Sequence, residues 1–426
     1  MSNSFAKEER VAFDEMMIGF DDQLAVSKLV RKYVSDQQAM ERSNNTIWRP
    51  APYIAVSNSG SDATGSFDDY TQLTVPASID TQRFVAFQMN AQELRDALQE
   101  KRLGTAAVAK LASDINVACL SRASLEGTLF VKRSGAATGY DDIAEADALM
   151  NEQGVSNLNR RLALSSRDYN SMASDLSKAS RSFGNEISDA ALRRAYVGPI
   201  AGFETYKLDY ALRQLAAAGG GALTISTLPG GANFYVPAAR TAPGAQGQTA
   251  NVDNRTQVVT VSSTTNVRSG DALTIVGVEA AHHITKLSTG RLKTFRVIGA
   301  PLSGTTLRIS PPIISAQGGS DAELQNINVV LTSTSGSAAI VFLNTVTNTL
   351  NPFFCEESIE ILPGRLAVPT DAGAAVMSAT TANGIQVAMA KQFDIKTHKT
   401  LYRVDTLFGT VCLQPEMCGV MMFSQT

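Results

Sequence analysis

The chain has 426 residues, with 37 Lys and Arg against 40 Asp and Glu and a formal net charge of −3. That balance argues against the strongly basic face of a nucleic-acid reader, and the length is enough for two or three domains. Apolar residues make up 44% and charged residues 18%, the latter below the usual quarter or so of a soluble protein. The deficit suits a chain that hides surface in its neighbours, and equally an ordinary Ser/Thr-rich β protein. Cys119, Cys355, Cys412 and Cys418 lack metal-ligand spacing and read as reduced, buried thiols of a cytosolic product. The N-terminus shows no apolar leader, and no run approaches the roughly 20 apolar residues of a membrane span. Synthesis in a cytoplasm without a standard secretion signal is expected.

In chain order, residues 5–34 read as an amphipathic helical arm. Val11, Met16, Met17, Phe20, Leu24, Ser27, Leu29 and Val30 recur at spacings near three and four. The other side carries Glu8, Glu9, Asp14, Glu15, Asp21 and Asp22, then Lys28, Arg31 and Lys32. Acid early and base late suits the helix dipole. Such a stripe serves a partner or packs on its own domain.

Residues 51–88 alternate loosely around the turn-forming run Ser57–Asp62. With strand-like Phe67–Val75 and Arg83–Phe87, they read as a long extended hairpin. From Ala91 to about Arg122 the stripe Leu94, Leu98, Val108, Leu111, Ile115 and Ala118 or Cys119 predicts a long helix. At its full length it would span roughly 48 Å, the proportions of a strut. Residues 130–218 mix short strands with candidate helices Ile143–Gln153, Ser166–Ser180 and Ser188–Tyr196, the last between a Ser188 N-cap and a Gly198-Pro199 stop.

Gly219-Gly220-Gly221 is a hinge-like break. From Ala222 to about Asn344 helical periodicity gives way to short strands at Leu223–Ile225, Val258–Val261, Leu273–Val278, Phe295–Val297, Leu307–Ile309 and Ile327–Leu331. Regular short strands with turns predict a compact β-barrel or sandwich, inserted into a chain whose flanks are mixed α and β. Thr241–Ala250, rich in Gly, Thr and Gln, reads as a projecting loop. Residues 345–426 return to mixed structure.

Chemistry-bearing patterns are sparse. His282 and His283 would point to opposite faces of a strand and so cannot easily share a metal, and His398 lies far away. There is no Gly-x-Ser-x-Gly elbow and no phosphate-binding loop, and the glycine triplet lacks the dinucleotide fingerprint. Asp68-Asp69 and Asp141-Asp142 read as solvated turns. No catalytic, metal or cofactor set is expected, and the chain does not read as an enzyme.

Two separated segments carry a resemblance. Asn251-Val252-Asp253-Asn254-Arg255, with the strand-patterned run to Gly270-Asp271, is similar to the inserted domain of coat proteins from the short-tailed Salmonella phage (P-twenty-two-like) group. Arg42-Ser43-Asn44-Asn45-Thr46-Ile47-Trp48 resembles the segment after their N-terminal arm. Gly198–Phe203 and, more loosely, Leu401–Gly409 with Pro415-Glu416 also resemble phage capsid proteins. The resemblance implies an α+β Hong Kong phage (HK97-like) capsid fold. Its expected parts are an N-terminal arm (1–50), E-loop hairpin and P-domain strand (51–90), spine helix (91–125), first P/A-domain part (126–221), inserted β-barrel I-domain (222–344) and second A/P-domain part (345–426).

It further implies a major capsid protein whose pentamers and hexamers form an icosahedral shell around double-stranded DNA, bound without sequence preference. Assembly in a bacterial host cytoplasm would be guided by a separate scaffolding protein with a basic helical end. A portal protein would complete the shell, and no membrane partner is implied. Asp14 matches the family's acidic arm position, with Glu15, Asp21 and Asp22 as further scaffold-contact candidates. The loop Ala239–Asn251 matches the insertion's D-loop, with Arg240, Gln246, Gln248 and Asp253 as intersubunit candidates. Its Ala/Gly/Gln/Thr composition departs from the family's charged latch. No charged leader suggests a built-in scaffold, and noncovalent shells are expected. On the residues alone two other readings stay open. One is a non-enzymatic glycan- or protein-binding protein using the inserted β domain. The other is a cytosolic hydrolase using Asp141, Asp142 or a histidine.

Overall fold

The computed structural model describes residues 7–33, 45–52, 54–57, 59–62, 64, 67, 69–90, 97–179, 197–219, 223–225, 234–332, 336–366, 374–381 and 384–425. Among these lie helices α1 (Lys7–Gln23), α2 (Ala97–Glu126), α3 (Tyr140–Glu152), α4 (Ser166–Ala179) and α5 (Asp321–Asn326). The expected helix Ser188–Tyr196, the arm-following residues Arg42–Asn44, Gly220, Gly221 and Asp68 lie outside the described residues. The chain divides into two compact units, one of Met1–Ile47, Ala77–Leu120 and Ile359–Val411, the other of Trp48–Pro76, Ser121–Ser358 and Cys412–Thr426.

In the first unit, α1 buries Phe13, Met16, Met17 and Phe20. A side chain at Gly104 on α2 would meet the Met16 sulfur at 2.3 Å, so that glycine lets the two helices approach. The helix is shorter than the 5–34 expected. Asn116 on α2 donates to Gln23 O at 2.8 Å and accepts from Val26 N and Ser27 N at 3.2 and 3.4 Å. This side chain takes over the backbone groups that another helical turn would have paired. The chain then makes a 3-10 turn, Ser27–Leu29, and Arg31–Lys32 pairs in parallel with Glu360–Ile361. Arg31 and Lys32 therefore sit in a strand. Val11 is exposed, while Phe13 takes a place in the core.

That strand edges a sheet ordered Arg31–Lys32, Ile359–Pro363, Lys399–Cys412, Gln386–Asp394 and Ala375–Thr380, with Thr81–Asn90 also paired to Lys399–Cys412. The loop region thus differs from a simple hairpin of Phe67–Val75 with Arg83–Phe87. Thr46–Pro50 pairs with Thr74–Ser78 as the foot of the loop, and Thr81–Asn90 runs antiparallel to Lys399–Phe408. Among the described residues no strand occurs between Ala51 and Leu73. Ten ladder pairs along residues 399–408 outweigh what a polar hairpin could offer.

Helix α2 runs through Glu126, four residues beyond the expected end, because Leu120, Ala123 and Ser124 continue its buried stripe. Its segment Arg102–Glu126 is long and apolar enough to cross a bilayer by length and composition, against the expectation that no run approached this. Here Val108, Leu111, Ile115 and Cys119 are core residues.

The second unit holds a five-stranded sheet ordered Leu129–Lys132, Cys418–Met422, Asn351–Cys355, Arg160–Ser165 and Phe203–Leu208. Helices α3 and α4 supply Ile143, Ala146, Met150, Tyr169 and Met172 to the same core as Leu162, Phe203 and Phe353. The unit also holds the inserted all-β part. Its seven-stranded sheet is ordered Gln257–Thr260, Thr306–Ser310, Ser288–Val297, Ala272–Ala281, Ala338–Phe342 and Thr224–Ile225, with Val329–Leu331 beside Ala272–Ala281. A bridge between Ile225 and Val261 joins its two ends, closing a barrel around Ile275, Phe295, Val297, Leu307 and Ile309. Gly277, at φ +83, sits where the Ala272–Ala281 register slips, the backbone a bulge needs.

Candidate functional site

Three arrangements among the described residues bear on function. The first is the outer face of α1. Asp14 and Glu15 are exposed there, between Val11 at 52% and Ile18 at 68% exposure. The spacing 11, 14/15, 18 is one helical stripe. Two acids framed by two apolar side chains thus lie on the exposed face while the opposite face is buried. Asp21 is half-buried and lies 3.7 Å from Lys28, so its charge is partly answered within the chain. Asp22 lies in α1, and its side chain is outside the described residues.

The second surface is the loop on the barrel. Arg240 and Asn251 form an antiparallel bridge, with Thr241 N donating to Ala250 O at 2.8 Å and Val252 N to Ala239 O at 3.3 Å. Within it, Gly244 N donates to Gln248 O at 2.9 Å. Residues 240–250 are all exposed, including Arg240, Gln246 and Gln248. The stem explains the Asn251–Arg255 motif. Buried Asn254 donates from Nδ2 to Ala238 O at 2.9 Å and accepts at Oδ1 from Tyr235 Oη at 2.8 Å. Asp253 is gripped by Arg255 through Nε at 2.9 Å and Nη2 at 2.8 Å. Asp253 is therefore committed within its own chain, whereas Arg240, Gln246 and Gln248 face outward.

The barrel's seat on the rest of its unit is a third arrangement, one the sequence reading missed. Lys293 is 1% exposed and donates to Gln153 Oε1 at 2.8 Å and to Glu416 Oε1. Burial would raise the Glu416 carboxyl, but the charges of Lys293 and His283 outweigh it and hold the group below its ordinary value. Burial lowers His283, with Glu416 3.7 Å away opposing it, and brings Lys286 down to about 8. Alongside, buried Asp271 accepts from Arg268 N at 2.8 Å and from Asn344 Nδ2 at 2.9 Å. Fully buried Arg296 donates to Ser124 O at 2.6 Å. Apart from Arg268 with Asp271, these partners are 73 to 172 residues apart. A local hint lies in the lysine and arginine that stand among Leu292, Phe295 and Val297 of one strand.

The enzyme-like candidates are dispersed. Asp142 is buried and accepts from Thr138 N at 2.7 Å while pairing with Arg133 Nε at 2.5 Å, a structural role at the start of α3. Asp141 is exposed. His282 Nδ1 accepts from Ile284 N and Thr285 N, shaping a turn, and His398 packs edge-on to Phe393. Among the described residues no group of three His, Cys, Asp or Glu side chains is placed to hold a metal ion.

A family model described as P22 coat protein, gene protein 5, matches residues 1–424. Among solved structures, the chain is similar to the CUS-3 coat protein I-domain at 36% identity, over 30% of this chain and 99% of that one, with a TM-score of 0.22. It is similar to a chain from Mycobacterium phage Che8 at 11% identity, covering 93% and 90% of the two chains, with a TM-score of 0.44. For the mature capsid of bacteriophage PhiM1 the identity is 10%, the coverage 99% and 88%, and the TM-score 0.44. The family match, over nearly the whole chain, is the deciding finding.

Proposed function

Since the chain belongs to the P22 coat protein family, we propose that its copies close into pentamers and hexamers of an icosahedral shell, built first as a scaffold-directed procapsid. The chain is a structural coat protein of a phage capsid and not an enzyme, and its place is the virion. In this reading the shell encloses double-stranded DNA without reading its sequence, carries a portal protein, and is assembled in the cytoplasm of the bacterial host.

The observation that carries the scaffold step is the outer stripe of α1, with Asp14 and Glu15 exposed between Val11 and Ile18. A basic amphipathic helix end offers matching charge and an apolar edge for such a stripe. Asp21, half-answered by Lys28, is a weaker contact, and Asp22 follows it in the same helix. The loop 239–251 is assigned to a neighbouring copy, through Arg240, Gln246 and Gln248, with Asp253 stiffening the stem. The loop 51–73 is a further intersubunit candidate. Phe67 is 88% exposed there, and the segment contains no Lys or Arg.

The test is scaffold recruitment into purified shells at low and high salt. Asp14→Ala is expected to lower uptake several-fold at low salt. Both proteins should converge as salt screens exposed charges beyond about 10 Å. Equal uptake by variant and native shells at low salt would overturn the assignment.

A further inference from the structure

The turn that carries Glu416 is closed at its neck by two cysteines. Cys412 ends the strand Lys399–Cys412, Cys418 begins Cys418–Met422, and the 3-10 turn Pro415–Met417 lies between. Their sulfurs are 3.5 Å apart, and both residues are 0% exposed. The turn is pinned from several sides. Arg255 Nη1 donates to Cys412 O at 2.7 Å, Thr128 donates to Pro415 O from N at 3.0 Å and Oγ1 at 2.9 Å, and Leu413 N donates to Ser358 O at 2.8 Å. The fold therefore holds the two thiols together, which converts an encounter into a high effective concentration. A disulfide needs about 2.05 Å between sulfurs, so closure asks for roughly 1.5 Å of movement shared by two side chains. A metal reading lacks ligands, since no third His, Cys, Asp or Glu joins the pair among the described residues.

We propose that Cys412 and Cys418 are an oxidisable dithiol that closes to an intrachain disulfide when the coat protein meets a hydroperoxide. One thiolate attacks a peroxide oxygen, the O–O bond breaks, and hydroxide leaves a sulfenic acid behind. The second sulfur then attacks the sulfenic sulfur, the S–O bond breaks, and water departs with the second thiol's proton. Two thiols and one hydrogen peroxide give one disulfide and two waters, the sulfurs losing two electrons and the peroxide gaining them. Burial selects the oxidant, because a small neutral peroxide can reach sulfurs that a bulky disulfide cannot approach in line. The hydrogen shared with Cys418 and burial hold the Cys412 thiol well above its ordinary value. Closure is therefore slow at neutral pH and faster in alkali, since the thiolate is the nucleophile. The new bond would tie the segment that gives Cys412 O to Arg255 and Glu416 to Lys293, both from the inserted barrel. Outside a reducing cytosol the turn beneath the barrel would thus be closed covalently, while its contacts to Arg255 and Lys293 remain hydrogen bonds.

The test uses the full-length native protein, treated with hydrogen peroxide, then unfolded with an alkylating reagent and weighed. Two of the four cysteines are expected to escape alkylation, with the Cys412 and Cys418 peptides linked and released by reductant. The linked chain should melt a few degrees higher. Cys418→Ser should abolish the link and leave Cys412 trappable as a sulfenic acid. The proposal is overturned if all four cysteines alkylate after a peroxide dose that oxidises the unfolded chain. It is equally overturned if Cys412 or Cys418 passes to sulfinic acid without linking, or links to Cys119 or Cys355. The native-protein mass decides the matter even where the variant fails to fold.

Discussion

Lys293 and Glu416 form the most consequential contact at the scale of single residues. An ammonium 1% exposed is costly unless a carboxylate and a neutral acceptor answer it, and Glu416 and Gln153 do so. Glu416→Gln keeps the shape and removes the charge. It is expected to destabilise the protein by roughly 2–3 kcal/mol at neutral pH, read by denaturant unfolding. The native pH profile follows from the directions. Glu416, held below its ordinary value, contributes stability that is present above the ordinary carboxylate range and lost as pH falls through the folded value. His283, lowered by burial, adds a loss that begins as pH falls below about 6.5. The variant should show a shallower acid dependence, and an unchanged profile would contradict the assignment. The contacts among these residues were not legible beforehand, because the partners come from distant sequence. The Asn251–Arg255 run was legible as a motif, but its work as a stem clamp through Asn254 and Arg255 needed coordinates.

Elements were legible where periodicity is long and broken where a side chain intervenes. The stripe Val108, Leu111, Ile115 and Cys119 announced α2, and the short strands from Val258, Leu273, Phe295 and Leu307, set apart by turns, announced a β-barrel or sandwich. The short strand Ala338–Phe342 and helix α5 escaped, although Ser320 and Glu323 form a capping box that the sequence spacing displays. The end of α1 escaped for a different reason. Asn116, 93 residues from Gln23, terminates it. Asn116→Ala is therefore expected to cost about 1–2 kcal/mol and to loosen α1. Hydrogen exchange should show faster exchange at Val26 and Ser27 and little change in the barrel. Uniform exchange across both regions would remove Asn116 from this role.

The molecule as a whole is two compact units woven from non-contiguous segments, with an all-β insertion in the second. The class of fold was readable from a helical region, a strand-rich interruption and a return to mixed structure. The pairing of Thr81–Asn90 with Lys399–Phe408 was not, since nothing local in either strand specifies a partner over 300 residues away. Low charge content and a net charge of −3 suit a chain that meets copies of itself over much of its surface and leaves charge at chosen stripes such as Asp14 and Glu15. Negative-stain microscopy of this chain, expressed with and without a cognate scaffolding protein, tests the central claim most directly. Uniform closed shells with the scaffold, and irregular or fewer shells without it, are the predicted result. Monomers or small oligomers under both conditions would contradict it.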